Sequence, residues 1–200
     1  MNILKKPLVF CLISTILLLN ACSGLTSSGK PAVTTWWLVP YTGVAQVAPT
    51  ETVSAVTLEV SVVPGLDTDQ ILTLSSDSEL VPYVGAKWTD NLPELFGSLV
   101  SRTVDASGRF DVVSSRNSTV SKSCDLQLEL QGFFARLDSE GQTTGVEIDI
   151  SGRYQCGSGA PSTLQLHAAV PVQDSRMRMI VAAFQQAMDS AMKDLLSELP

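Results

Sequence analysis

Apolar residues along this chain recur with two different periods. Val56, Leu58, Val60 and Val62 alternate with Thr57, Glu59 and Ser61, the pattern of a half-buried strand, and Pro64-Gly65 ends it. Short strands are predicted near residues 71–74 and 80–84, and another at Trp36-Trp37-Leu38-Val39 ahead of Pro40. From Leu92 the period changes. Leu92, Leu95, Phe96, Leu99, Val100, Thr103 and Val104 recur at spacings of three and four, which predicts an amphipathic helix over about 90–106. Asp90 is its expected cap, Pro93 fits the first turn, and Gly108 stops it before Phe110-Asp111-Val112-Val113 returns as a strand. A second stripe, from Met177 and Ile180 through Phe184 and Met188 to Leu195 and Leu199, predicts a closing helix capped by Asp174 or Ser175.

Between the helices lie two longer alternating runs. Leu126, Leu128, Leu130 and Phe134 alternate with Asp125, Gln127, Glu129 and Gln131; Val146, Ile148, Ile150 and Tyr154 alternate with Glu147, Asp149, Ser151 and Arg153. Asp138-Ser139-Glu140-Gly141 is a turn-like group between them. A hairpin centred on Glu140 sets Leu126 against Tyr154, Leu130 against Ile150, Phe134 against Val146 and Cys124 against Cys156. A one-residue slip would oppose leucine to Asp or Arg, so this register is the favoured one. Facing cysteines on paired strands lie within disulfide reach. The alternatives, a metal site or a redox pair, lack parts: there is one histidine, His167, and no Cys-x-x-Cys. A third strand follows, with Leu164, Leu166, Ala168, Val170 and Val172 on one face. The expected fold is α+β, a largely antiparallel sheet with two amphipathic helices packed on one face.

The first residues read differently. Lys5 and Lys6 precede an apolar run over 8–19, and Leu19-Asn20-Ala21-Cys22 closes it. Twelve residues span ~18 Å as a helix, short of the ~30 Å hydrocarbon core, a length that suits an export signal. Leu19 three residues before Cys22, with small Ala21 between, resembles a bacterial lipobox. That resemblance implies cleavage before Cys22, a diacylglycerol thioether on its sulfur and an acylated amine. Ser23 rather than Asp follows the cysteine, which implies sorting to the outer membrane. Residues 1–21 are then the signal, 22–33 a small-residue tether and 34–200 the domain.

Composition narrows the function. Lys plus Arg number 13 against 20 Asp plus Glu, a net charge of −7, and removal of Lys5 and Lys6 takes it to −9. That balance opposes a nucleic-acid partner. His167 falls on the polar side of its strand, where the expected state is a solvated imidazole. Asp67 and Asp69 flank a turn and read as solvated carboxylates. Asn117-Ser118-Thr119 matches a glycosylation sequon but has no force behind a bacterial lipobox. The helix methionines fit either a core stripe or an adaptable binding surface, and Trp88 either a core anchor or an interface residue. No catalytic group, cofactor or metal is predicted.

Several landmarks occur together: Trp36-Trp37-Leu38; Leu58-Glu59-Val60-Ser61-Val62-Val63-Pro64-Gly65-Leu66-Asp67; Tyr83-Val84-Gly85-Ala86-Lys87-Trp88; and a helix leading into Gly108-Arg109-Phe110-Asp111-Val112-Val113. Together they resemble the ABC-type transport auxiliary lipoproteins, over about residues 36–196. The resemblance implies an outer-membrane partner of an MCE-type system, with an MCE-domain protein and an inner-membrane ABC permease and ATPase. It implies phospholipid or another hydrophobic molecule as the cargo, homo-oligomers in some relatives, and no catalytic motif. Trp36, Trp37, Asp67 and Trp88 are the expected partner or packing residues. An alternative is a structural or secretion-assembly lipoprotein that binds a protein rather than lipid.

Overall fold

The computed structural model describes residues 32–43, 54–113 and 123–199, within one compact unit, Val33–Pro200. Its elements are β1 (Thr34–Trp36), β2 (Ser54–Val62), a 3-10 turn (Pro64–Leu66), β3 (Gln70–Leu74), β4 (Leu80–Trp88) and α1 (Leu92–Ala106). Then come β5 (Phe110–Val113), β6 (Ser123–Leu137), β7 (Thr143–Cys156), β8 (Ser162–Pro171) and α2 (Met177–Glu198). The fold is α+β, an open, mixed, mostly antiparallel eight-stranded sheet with two helices.

β6 is the strand on which the sheet forks. One edge carries β7, antiparallel from Cys124↔Cys156 to Leu137↔Thr143. The other is shared by β2, parallel from Ala55↔Ser123 to Val62↔Leu130, and by β3, parallel at Thr73↔Ala135. The Pro64–Leu66 turn makes the sharing possible: the Val63 amide donates to the Leu130 carbonyl at 3.1 Å, and the chain then steps away before β3 rejoins β6. Outward from the fork, β5 pairs with β2, β4 with β3, β1 with β4, and β8 with β7.

The hairpin register holds from the disulfide to Leu130↔Ile150 and then shifts by one. Gln131 is the extra residue of a β-bulge, so Phe134 faces Glu147 rather than Val146, and Ala135 takes the place opposite Val146. The shift hands the core position to Phe133, 1% exposed. Phe133 meets the Phe184 ring at 4.7 Å and the edge of Trp88 at 5.6 Å, and Trp88 stands edge-on to Phe184 at 5.2 Å. Trp88 is thus a core anchor.

Both helices cover the apolar face of the sheet, α1 against β2 and β5, α2 against β7 and β8. Met188 and Met192 are buried and Met177 packs on the core, so the methionine stripe is mainly core. The helix starts differ from the sequence expectation. Asn91 occupies the cap of α1 and Arg176 that of α2, neither with a capping side-chain bond. Asp90 instead accepts the Asn91 amide, Asp174 accepts the Arg176 amide, and Ser175 is drawn away to accept the Thr143 amide. At its far end α2 is closed by Arg109, whose guanidinium donates to the carbonyls of Leu196 and Leu199. A cation there meets the negative end of the helix.

Candidate functional site

Three surfaces carry the residues to which the sequence points. The first is the edge made by β1 and β4. Trp36 is half-buried opposite Trp88, while Trp37 is 59% exposed. Leu38 turns back into the core, and the Gln185 side chain of α2 holds the amide and carbonyl of Val39 at 2.9 Å each. These two of the expected partner or packing residues therefore face different environments.

The second surface surrounds the Pro64–Leu66 turn. Asp67 is exposed and its amide bonds back to the Pro64 carbonyl at 3.4 Å. Asp69, expected to be solvated, is held at 2.7 Å by Lys87 and at 2.6 Å by Gln70. The bond from Lys87 keeps its carboxyl below the ordinary value of 3.8. The same turn fastens the neighbouring elements, since the Trp88 amide donates to the Asp69 carbonyl at 2.7 Å and the Leu92 amide to that of Thr68 at 3.0 Å. This turn works as a joint between β3, β4 and α1.

The third surface is the polar outer face of β6, β7 and β8. Asp149 and His167 are direct cross-strand partners, with Asp149 Oδ1 2.6 Å from His167 Nδ1. Glu147 lies two residues before Asp149 on the same face and takes two bonds from Arg136, at 2.6 and 3.0 Å. Room for Asp149 comes from Gly132 across the bulge, where a Cβ would fall 2.6 Å from its Oδ2. His167 is thus ion-paired rather than freely solvated, and Asp149 raises its pKa above 6.5. Arg136 in turn lowers that of Glu147. Ligand atoms of Glu147, Asp149 and His167 lie within 4.8 Å of one another, close enough for a cation. Both oxygens of Glu147 already serve Arg136, however, so a cation would have to break that pair. The arrangement is a ladder of alternating charge across β6, β7 and β8. The sequence contains a clue to it: a β7–β8 hairpin centred on Ser158, within Gly157-Ser158-Gly159, would have set Asp149 against His167.

Cys124 and Cys156 are disulfide-bonded, 32 residues apart, at the first paired position of β6 and β7. Cys22 and Asn117 lie outside the described residues. Among the described residues no helix is long and apolar enough to cross a membrane.

This combination, a two-helix layer on a forked sheet with a Trp-containing strand running into α1, has known relatives. The sequence model of the ABC-type transport auxiliary lipoprotein component matches residues 38–195. The chain belongs to that family. The matched span of this auxiliary lipoprotein runs from the buried Leu38 to the last turn of α2 and leaves Trp36 and Trp37 just outside. Among solved structures, one of an uncharacterized protein superposes with a TM-score of 0.64 at 16% identity, covering 84% of this chain and 99% of the other. A protein from Xanthomonas campestris gives 0.62 at 19% identity, over 82% and 92% of the two chains. These identities establish a shared fold for the auxiliary lipoprotein. No curated protein matches its sequence.

Proposed function

We propose that this auxiliary lipoprotein is held at the outer membrane by an acylated Cys22, faces the periplasm, and serves without catalysis in an MCE-type transport system. In that role it receives or anchors the far end of a conduit served by an MCE-domain protein and an inner-membrane ABC permease and ATPase. Phospholipids or similar hydrophobic molecules are the cargo class. The observation that carries this reading is the family match over residues 38–195. The Leu19–Cys22 pattern supports the anchor. A charge ladder without a nucleophile or a second histidine supports a binding role rather than a chemical one.

The test is a crosslinked pull-down of the acylated protein from native membranes, with mass spectrometry of proteins and lipids. Recovery of an MCE-domain protein together with a permease is the expected result. Recovery of secretion or cell-wall components in their place would move the function to the alternative, an assembly lipoprotein that binds a protein partner. Unchanged envelope permeability on deletion would also count against transport.

A further inference from the structure

Exposed apolar side chains are unevenly placed on this domain. Among the described residues seven large ones are exposed, and six of them, Val33, Trp37, Val39, Leu80, Val81 and Val84, belong to β4 or to β1 and its flanks. The two strands are parallel neighbours, Thr34↔Ala86 to Trp36↔Trp88. Extending that register by one residue sets Val33 beside Gly85, next to Val84, which is 86% exposed. Gly85 has φ +80°, a conformation that breaks the alternation of β4 between the exposed Val84 and the buried Ala86. The seventh residue, Met179, lies in the first turn of α2, just after Ser175, whose carbonyl accepts the Tyr83 hydroxyl of β4 at 3.4 Å. Apolar exposure is concentrated along one edge of the molecule.

That edge is also poor in charge, its one cation over residues 31–43 and 80–88 being Lys87, paired with Asp69 at 2.7 Å. No Asp, Glu, Lys or Arg occurs over residues 31–50 or 80–86, in a chain whose net charge is −7. Glu79 stands just before Leu80 and Asp69 is paired with Lys87, while Glu59, Glu129, Glu147 and Asp149 lie on the polar outer face of the sheet. The chain leading to the edge is short. Val33 follows Cys22 by eleven residues, which reach at most ~36 Å fully stretched. An anchor at Cys22 therefore leads into the domain at its apolar edge.

We infer that the β1–β4 edge is a membrane-docking surface, seated on the phospholipid bilayer to which Cys22 is attached. The inference rests on the lipid anchor of the proposed function. A patch of a few valines, leucines and one tryptophan binds a bilayer weakly by itself. The tether converts that binding into an intramolecular step at a millimolar effective concentration, so a weak patch suffices. Trp37 is suited to the headgroup level, where an amphipathic ring is favoured. Anionic lipid repels the acidic sheet face and leaves the edge, where the one cation is neutralised by Asp69, as the side that can approach. Strand addition by a second copy is blunted, because Pro82 removes a ladder donor from β4 and Gly85 bends it.

The test uses the full-length acylated protein in vesicles of phosphatidylethanolamine and phosphatidylglycerol, with and without brominated acyl chains. Bromolipid is expected to quench a component of tryptophan emission that disappears in Trp37→Phe. The quenching should weaken in Val33→Asp/Val84→Asp, which retains Trp37. All three positions are exposed, so thermal unfolding should be unchanged and a folding defect would be visible separately. Flotation distinguishes the two readings. Protein that floats with Trp37 unquenched, or equally quenched in the double variant, overturns the docking surface and leaves the anchor standing. Trp37 shielded within a crosslinked dimer assigns the edge to a second copy and also overturns it. Protein that fails to float removes the anchor, and the docking surface with it.

Discussion

His167 is the only histidine of the chain, and its charge is set by its neighbours rather than by solvent alone. Asp149 bonds its Nδ1 and raises the pKa; Glu147 adds attraction, and nearby Arg136 opposes both. A folded pKa above 6.5 means that protonated His167 favours the native state. That contribution is fully present below about 6.5 and is lost as pH rises through the raised value. The side chain is 59% exposed, so solvent screening keeps the effect on stability small. The pKa itself is the better readout. Proton NMR of the imidazole should titrate above 6.5 in the wild type and move back towards it in Asp149→Asn. Identical midpoints in the two proteins would rule out the ladder. Asp69 has the opposite sign: its lowered pKa supports the fold above about 3.8 and fails as pH falls through the lowered value. Acid therefore acts through Asp69 and base through His167.

At the level of elements, two connections from distant parts of the chain hold the helix layer and the hairpin. Arg109 follows α1 in sequence but closes α2, donating to the Leu196 and Leu199 carbonyls while its guanidinium lies 5.6 Å from the Phe110 ring. Replacing it by Ala leaves those carbonyls unpartnered and should destabilise the domain by about 1–3 kcal/mol in denaturant unfolding. Arg109→Lys should recover part of the loss; equal stability in all three proteins would show that the contact contributes nothing. The Cys124–Cys156 bond closes a loop of 32 residues, for which chain entropy predicts about 3–4 kcal/mol. A Cys124→Ser/Cys156→Ser protein should remain folded at moderate temperature with a lowered Tm, and an unchanged Tm would refute the contribution. This disulfide was readable because alternation is a local signal: the two apolar faces coincide in this register and not in one slipped by a residue. Phe134 was misread for the converse reason. A bulge at Gln131 moves the core to Phe133 without changing composition, and the close approach of Asp149 to Gly132 beside it is a contact across strands. The forked edge of β6 and the Arg109 closure share that origin. Each joins residues whose spacing in sequence carries no period.

In the proposed function the whole molecule divides its tasks between a short N-terminal segment that sets location and a domain that supplies surface. Cys22 belongs to the unit Met1–Ala32 and the core residues to the unit Val33–Pro200. Each buried CH₂ of an acyl chain contributes ~0.8 kcal/mol, one myristoyl chain gives only reversible binding, and several chains together hold firmly. The docking edge alone is too small to replace them, and the mature chain, at −9 once Lys5 and Lys6 are gone, has no basic patch in residues 31–50 to bring it to anionic lipid. Cys22→Ala should therefore appear as soluble or uncleaved protein, with the disulfide formed and the unfolding transition of the wild type, yet without transport function in cells. Restoring membrane attachment through an unrelated lipobox should restore function if location is all that Cys22 provides. Unchanged co-fractionation of Cys22→Ala with the outer membrane would refute the anchor. In that outcome the domain would have to find the membrane through a protein partner, and the pull-down from native membranes would show which one.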